Sequence, residues 1–539
     1  MSGRTVRGSI ANLAAKSPPQ PATDDTMADR KSRKTTLDKD LEKFSDVEEA
    51  SIFVARSLVA PGIALLFLAL AVVYAALTVS GAPGAVVIVA AAAIGGYMAL
   101  NIGANDVANN VGPAVGAKAI TMGSALIMAA IFESAGALIA GWNVVATISA
   151  GIIPPALIDE PALLVHMMMA ALISASLWVH FSTWIGAPVS TTHSLVGAVL
   201  GAGLAAAGIG AVDWLTIGTI AFGWAASPLI GGAMAALFLA FIESSIVYQD
   251  DKIAAARRNV PLLIALMAGS FAAYLTLLGM NFAGDGASLV SVAVGAATFV
   301  LAWIVAHRLV KMQSIGLENR NQSLKVLFRI PLVAAAALLS FAHGANDVSN
   351  AVGPLAAIVH ALVERNIQTD TLNIPVWVMV IGAMGISVGL LLYGPRLIRM
   401  VGEQITRLNP MRAFSVALAT AFTVLVASWL GLPVSTTHIA VGGVFGVGFF
   451  REWYTANSQQ RRNYIERKRL RENAVDGEDE DAPKPRKQKS GKANSQQEVI
   501  RRRLVRRAHV RTIVAAWFAT VPAAALFSAL VFWASSVLL

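Results

Sequence analysis

Asp106 and Asp347 each interrupt a long apolar run, and each is set in the same phrase. Gly103-Ala104-Asn105-Asp106-Val107-Ala108-Asn109-Asn110-Val111-Gly112-Pro113 returns as Gly344-Ala345-Asn346-Asp347-Val348-Ser349-Asn350-Ala351-Val352-Gly353-Pro354. A second phrase, Pro188-Val189-Ser190-Thr191-Thr192-His193, returns as Pro433-Val434-Ser435-Thr436-Thr437-His438. From Asp106 to His193 is 87 residues and from Asp347 to His438 is 91, so the duplicated unit is several helices long. A carboxylate at mid-membrane costs about 2.5–3.5 kcal/mol on insertion scales. Two of them call for compensation, and a bound cation would supply it. Asn105, Asn109, Asn346 and Asn350 surround them with hard oxygen donors, which suit Na+ or a proton rather than a soft transition metal. Asp with Asn three residues on lies on one helix face; alternatively, the Gly before and the Gly-Pro after break the helix and free backbone carbonyls as further ligands. The plainer alternative is helix packing, with Asn and Asp bonding neighbouring helices.

Ser-Thr-Thr after a proline is a helix start. Free N–H groups and the positive end of the helix dipole make such a start attractive to an anion. Two starts, Ser190-Thr191-Thr192 and Ser435-Thr436-Thr437, would together cradle a tetrahedral oxyanion with neutral donors. The alternative is ordinary capping, about 1 kcal/mol for each helix. His193 and His438 follow the hydroxyls and are read as packing or hydroxyl-orienting groups before proton relays. Glu133, in Phe132-Glu133-Ser134-Ala135-Gly136, is a further acid within an apolar run and a candidate for ion coupling. Its expected counterpart is the stretch Gly382-Ala383-Met384-Gly385, which holds no acid.

The elements that carry these phrases are membrane helices. The chain is 56% hydrophobic and 14% charged, with a mean hydropathy of +0.63; a soluble domain carries about 25% charged residues. Runs such as Ile63 to Val79 and Gly84 to Leu100 approach the roughly 20 residues that span a bilayer. The ten-residue alternation of a transmembrane barrel is absent. With no cysteine, disulfides and thiolate metal sites are excluded. Spans are expected at 57–80, 84–104, 121–141, 163–183, 189–209, 214–242, 260–279, 287–307, 331–351, 376–394, 413–431, 433–450 and 513–537. This is an all-α polytopic membrane protein with about 12 core spans, some broken or re-entrant, plus one N-terminal accessory span.

The net charge of +10 is uneven. Residues 451–511 hold 18 Lys+Arg against 9 Asp+Glu. Such loops report topology rather than nucleic-acid binding. Alternate threading of the spans puts every basic cluster on one side and the bare loops near 81–83, 210–213 and 280–286 on the other. The basic side is then cytoplasmic, with the N-terminus inside. In this threading the spans leading into Asp106 and Asp347 run in opposite directions. That is the signature of inverted-topology repeats, which meet around a midplane site; tandem parallel repeats with one miscounted span are the alternative. The expected organisation is a disordered cytoplasmic tail (1–55), an accessory helix (56–82), a first repeat (83–250), connecting spans and a loop (251–330), a second repeat (331–450), a basic cytoplasmic loop (451–511) and a C-terminal span (512–539).

At the two doubled phrases the chain resembles the PiT family of inorganic phosphate transporters, over roughly 84–537. The resemblance implies two inverted repeats and symport of inorganic phosphate with Na+ or H+. It carries cation binding to Asn105, Asp106, Asn109, Asn346, Asp347 and Asn350, with Na+ as the metal to expect there, and phosphate binding to Ser190, Thr191, Thr192, Ser435, Thr436 and Thr437. Glu133 matches an acid of the family's animal members, whereas Ala417 stands where those members have a glutamate. The expected function is secondary active import of phosphate by alternating access. A sulfate or other oxyanion permease of the same fold, or an anion channel, is the alternative; an enzyme is not expected. The expected partners are phosphate, the coupling ion and the lipid bilayer, with no cofactor and no nucleic acid. The expected location is the bacterial inner membrane. A homodimer is compatible with the sequence, although no span shows a decisive small-xxx-small face.

Overall fold

The computed structural model describes residues 58–538 apart from 159, 186–188, 281–286, 364–373, 405–407 and 477–506. The expected tail (1–55), Pro188 and residues 477–506 of the basic 451–511 loop lie outside the described residues. The principal helices are α1 (Leu58–Thr78), α2 (Ala85–Asn110), α3 (Met122–Ala140), α4 (Pro161–Trp184), α5 (Thr191–Ala207), α6 (Trp214–Ile242), α7 (Lys252–Gly279), α8 (Ala287–Gln313), α9 (Arg329–Val363), α10 (Val376–Gln404), α11 (Pro410–Trp429), α12 (Thr436–Asn457), α13 (Gln459–Asp476) and α14 (Arg507–Leu538).

Starts and stops follow local chemistry. Thr121, Ser190, Asp213, Asp251, Asn409 and Ser435 each cap the helix that follows by accepting a backbone N–H of its first turn. Gly84 (φ 68°) and Gly208 (φ 76°) hold left-handed turns at the start of α2 and the end of α5. Leu65, Leu77, Val86, Leu215, Phe222, Leu229 and Leu289 all point outward. Asp106, Glu133, His343 and Asp347 are at most 1% exposed. Apolar outside and polar at the centre is the arrangement a bilayer demands.

Among the described residues, ten helices are long and apolar enough to cross a membrane. The count is eleven if the helix Asn321–Leu327 and α9, bent by 44°, form one span. The expectation of thirteen spans is corrected at 189–209 and 433–450. α5 has 17 residues, so it rises about 25 Å, short of the roughly 30 Å hydrocarbon core. α12 is longer but misses the apolarity of a span. Both begin inside the protein, at their Ser-Thr-Thr phrases, so neither has a whole bilayer to cross.

Of the two readings of the motifs, the continuous helix holds at the leading glycines. α2 and α9 run unbroken through Gly103 and Gly344. After the first motif the helix does stop, at Val111, before a short turn Gly112–Gly116; after the second, α9 continues through Pro354 to Val363. The glycines serve close packing instead. A Cβ on Gly103 would run into the Ile386 carbonyl oxygen of α10, and one on Gly344 into the Glu133 carbonyl oxygen of α3. Gly136 meets the Phe341 oxygen and Gly389 the Leu100 oxygen in the same way.

These approaches set a register. Glu133 stands to Gly344 as Ile386 stands to Gly103, and Gly136 answers to Gly389, both pairs 253 residues apart. Ser134 and Ser387, also 253 apart, meet each other with hydroxyls 2.7 Å apart. The counterpart of Phe132–Gly136 is therefore Gly385–Gly389, and the proposed match to Gly382–Gly385 is displaced by three residues. Other packing relations recur as well. α2 lies against α10 and α4; α9 lies against α3 and α11; α5 packs on α14, and α12 on α6. Gly201 of α5 abuts the Ala525 backbone of α14, as Gly446 of α12 abuts the Gly232 backbone of α6. This packing is internal to the compact unit Ile63–Leu539. α9 is buried over almost its whole length from Ala335 to Ala361, which makes it the central post.

Gly344→Ala should lower stability by about 1–3 kcal/mol, the usual range for overpacking, because backbone has to move. Gly123→Ala, where nothing lies within 4 Å, should be neutral or stabilising by up to about 1 kcal/mol. Thermal unfolding of the two variants in detergent compares them.

Candidate ion and anion site

The two motif helices and the two Ser-Thr-Thr helix starts converge. Thr191 Oγ1 donates to Asp106 Oδ2 (3.1 Å), and Thr436 Oγ1 donates to Asp347 Oδ2 (3.2 Å). Contacts also cross between copies. Asn109 Nδ2 donates to Thr437 Oγ1 (2.9 Å), and Asn350 Nδ2 donates to Thr192 Oγ1 (3.0 Å). Thr437 Oγ1 additionally donates to Asp106 Oδ1 (2.7 Å). All four threonines and both aspartates are buried, so apart from the half-buried Asn109 contact these bonds are made away from water, where losing a partner is most damaging.

The other expected residues have different tasks. Ser190 and Ser435 act as caps, accepting from the His193 and His438 backbone N–H. Asn105 donates to Thr183 Oγ1 (2.8 Å) and Asn346 to Ser428 Oγ (3.0 Å), an equivalent pair of bonds. Asn346 further donates to the Leu432 carbonyl oxygen and accepts from the Val434 N–H, so it clamps the loop that leads into α12. His193 and His438 pack ring against ring, centroids 4.5 Å apart, with Trp224 edge-on to His193 at 4.0 Å. That geometry fits their packing role.

One group at the centre was absent from the sequence reading. His343 is fully buried, with Nε2 3.0 Å from Asp347 Oδ2 and 4.0 Å from Asp106 Oδ2, and Nδ1 3.3 Å from Glu133 Oε2. Glu133 Oε1 accepts from Asn110 Nδ2 (2.8 Å). Asn110, Glu133 and His343 thus form a chain ending on the aspartates. None has a polar twin: Ala351, Ile386 and Ile102 occupy the matching positions. The available signal was His343 itself, four residues before Asp347 on the same helix face. Ala417 is buried on α11, in the same apolar cluster as Phe341, Ala342 and Ala345 of α9, so α11 brings no carboxylate here.

The donor set fits a hard cation. Asp106 and Asp347 offer the carboxylate oxygens such an ion takes, with an imidazole nitrogen of His343 within 4.8 Å of them. Among the described residues, Asp347 Oδ1 and Asn350 Oδ1 are buried acceptors with no hydrogen-bond partner. Pro113 and Pro354 have no N–H, so the carbonyls of Asn109 and Asn350 lose their usual helical donor. Side-chain and backbone oxygens of this kind are what Na+ takes in preference to softer ions.

Known proteins resemble this chain in sequence and fold. Residues 102–528 match the family described as "Phosphate transporter family". A candidate phosphate permease of Helicobacter pylori is 43% identical over 533 residues, covering 92% of this chain and 98% of its own. One of Thermococcus kodakarensis is 37% identical over 379 residues, covering 69% and 91%. A solved structure described as "The sodium-dependent phosphate transporter" superposes with a TM-score of 0.69 at 32% identity, over 84% of this chain and 100% of that one. An integral multi-pass membrane protein with two paired, buried carboxylate-and-threonine centres, this chain belongs to the phosphate transporter family.

Proposed function

We propose that the chain imports inorganic phosphate by symport with Na+, through alternating access of two inverted repeats around the Asp106/Asp347 centre. The observation that carries this reading is the competition for the threonine hydroxyls. Thr191, Thr436 and Thr437 donate to the aspartate carboxylates, yet they stand at helix starts suited to an anion. A cation on the carboxylates draws on the same oxygens and leaves the hydroxyls to turn towards phosphate. Cation binding thereby builds the anion site, which is the physical content of coupling. The sodium dependence of the solved relative favours Na+ over H+ as the ion.

Two repeats related by a twofold are supported by the recurring packing relations, above all the Ser134–Ser387 self-contact and the matched pairs Asn109–Thr437 and Asn350–Thr192, and their inversion by the threading of the basic loops. α5 and α12, starting at the centre, behave as the half-helices whose N-termini meet an anionic substrate in transporters of this kind. In this reading the N-terminus is cytoplasmic, and phosphate is distinguished from sulfate by its remaining proton, which an Asp106 or Asp347 oxygen accepts.

Purified protein in liposomes should take up labelled phosphate faster under an inward Na+ gradient than under an equal K+ gradient, with little competition from sulfate. Uptake indifferent to Na+ and driven by a pH gradient would replace Na+ by H+ in the reading. Asp106→Asn combined with Asp347→Asn should abolish the stimulation by Na+; a double variant that keeps it would remove these residues from coupling. Thr437→Val deletes a hydroxyl that, released from Asp106, would donate to phosphate, and a hydrogen bond to a charged group is worth about 1.5–3 kcal/mol. It should weaken apparent phosphate affinity roughly 10- to 150-fold, read as a rise in KM at fixed Na+.

A further inference from the structure

Away from the transport centre, the structure holds a cavity of about 650 Å³ where several basic loops meet. Its wall takes Lys325 from the helix Asn321–Leu327, Arg412 from α11, Arg451 from α12 and Arg461 from α13; Glu243 is its one acidic lining residue. Four cations converge there from segments up to about 140 residues apart in the chain. We propose that this cavity binds an anion bearing two or more phosphate groups, at a site separate from the transport centre.

Basic loops that served only to orient the protein in the membrane would be solvated and spread out. Here four are gathered from separate helices around one cavity, and one of them is fixed. Arg461 is only 4% exposed and donates to the Thr455 carbonyl oxygen (3.2 Å). α13 is pinned over the cavity: Lys252 Nζ donates to Tyr464 Oη (2.8 Å) and lies 4.3 Å from that ring. Gln460 donates to the Ser244 carbonyl oxygen (2.8 Å), and Arg467 pairs with Asp250 at 3.6 Å. Donors held in place before binding lose less freedom on binding, and guanidinium groups match phosphate oxygens in pairs. The volume exceeds what one orthophosphate fills and lies within the roughly 300–1,000 Å³ of small-ligand sites. Arg451 is 15 residues along α12 from Thr436, about 22 Å of helix rise, so the two sites are distinct yet share one helix.

The probe for a free anion is inorganic tripolyphosphate, titrated into the purified full-length protein in detergent with Na+ and orthophosphate in excess. Saturable binding, with a rise in Tm, is expected for the wild type. Lys325→Gln combined with Arg451→Gln should weaken it tenfold or more, while Thr437→Val leaves it unchanged. The charge-retaining pair Lys325→Arg and Arg451→Lys should restore it, which separates lost recognition from lost folding. A second arm compares nanodiscs with and without cardiolipin. Stabilisation of the wild type by cardiolipin that the Gln pair lacks, with no response to tripolyphosphate, assigns the same phosphate chemistry to a lipid headgroup. No binding by the wild type in either arm, equal binding by wild type and the Gln pair, or loss of binding in Thr437→Val overturns the proposal.

Discussion

Two carboxylates buried in an apolar bundle have to be held by something, and the holding explains most of the architecture. Asp106 and Asp347 are each 1% exposed, and a bare charge there would be several kcal/mol out of balance. Their partners are hydroxyls at the starts of α5 and α12. That requirement forces both helices to begin in the interior, which in turn shortens α5 and leaves α12 short of the apolarity of a span. It also demands that the bundle close tightly, and glycines at Gly103, Gly136, Gly344 and Gly389 let backbones touch around the motif helices. Polar centre and small-residue packing are two sides of one constraint.

The sequence revealed the centre more readily than its surroundings. The doubled phrases announced Asp106, Asp347 and the threonines because repetition separates a site from scattered polar residues. Membrane class and most spans followed from length and apolarity, which the bilayer makes nearly sufficient. The three central residues Asn110, Glu133 and His343 were legible only in part, since they lack twins and repetition says nothing about them. His343 in particular sat unremarked in a helix whose sequence reads as ordinary small and apolar residues. The roles of Asn105 and Asn346 in fixing Thr183, Ser428 and the loop before α12 depend on contacts 78 to 88 residues away, beyond any local pattern. Glycine suggested a helix break from its propensity; tertiary packing overrode the propensity and used its missing side chain instead.

The two ends of α12 tie the rest together. Thr437 is bonded to Asp106 at one end, and Arg451 lines a basic cavity at the other. α6 lies along α12 by backbone-to-backbone glycine contact, so these helices transmit displacement with little slack.

The chain Asn110–Glu133–His343 has a thermodynamic consequence. A machine of two interchangeable halves would have conformations related by exchanging them, and with identical halves those conformations would be degenerate. Here the exchange maps a buried polar chain onto Ala351, Ile386 and Ile102. Moving the centre from one half's environment to the other's then alters how well the aspartates are solvated by protein. In the proposed alternating-access reading the degeneracy would be lifted, and the molecule would acquire a resting preference that owes nothing to any gradient. Directionality in such a device would be set by the ions outside, and its idle position by three unmatched side chains.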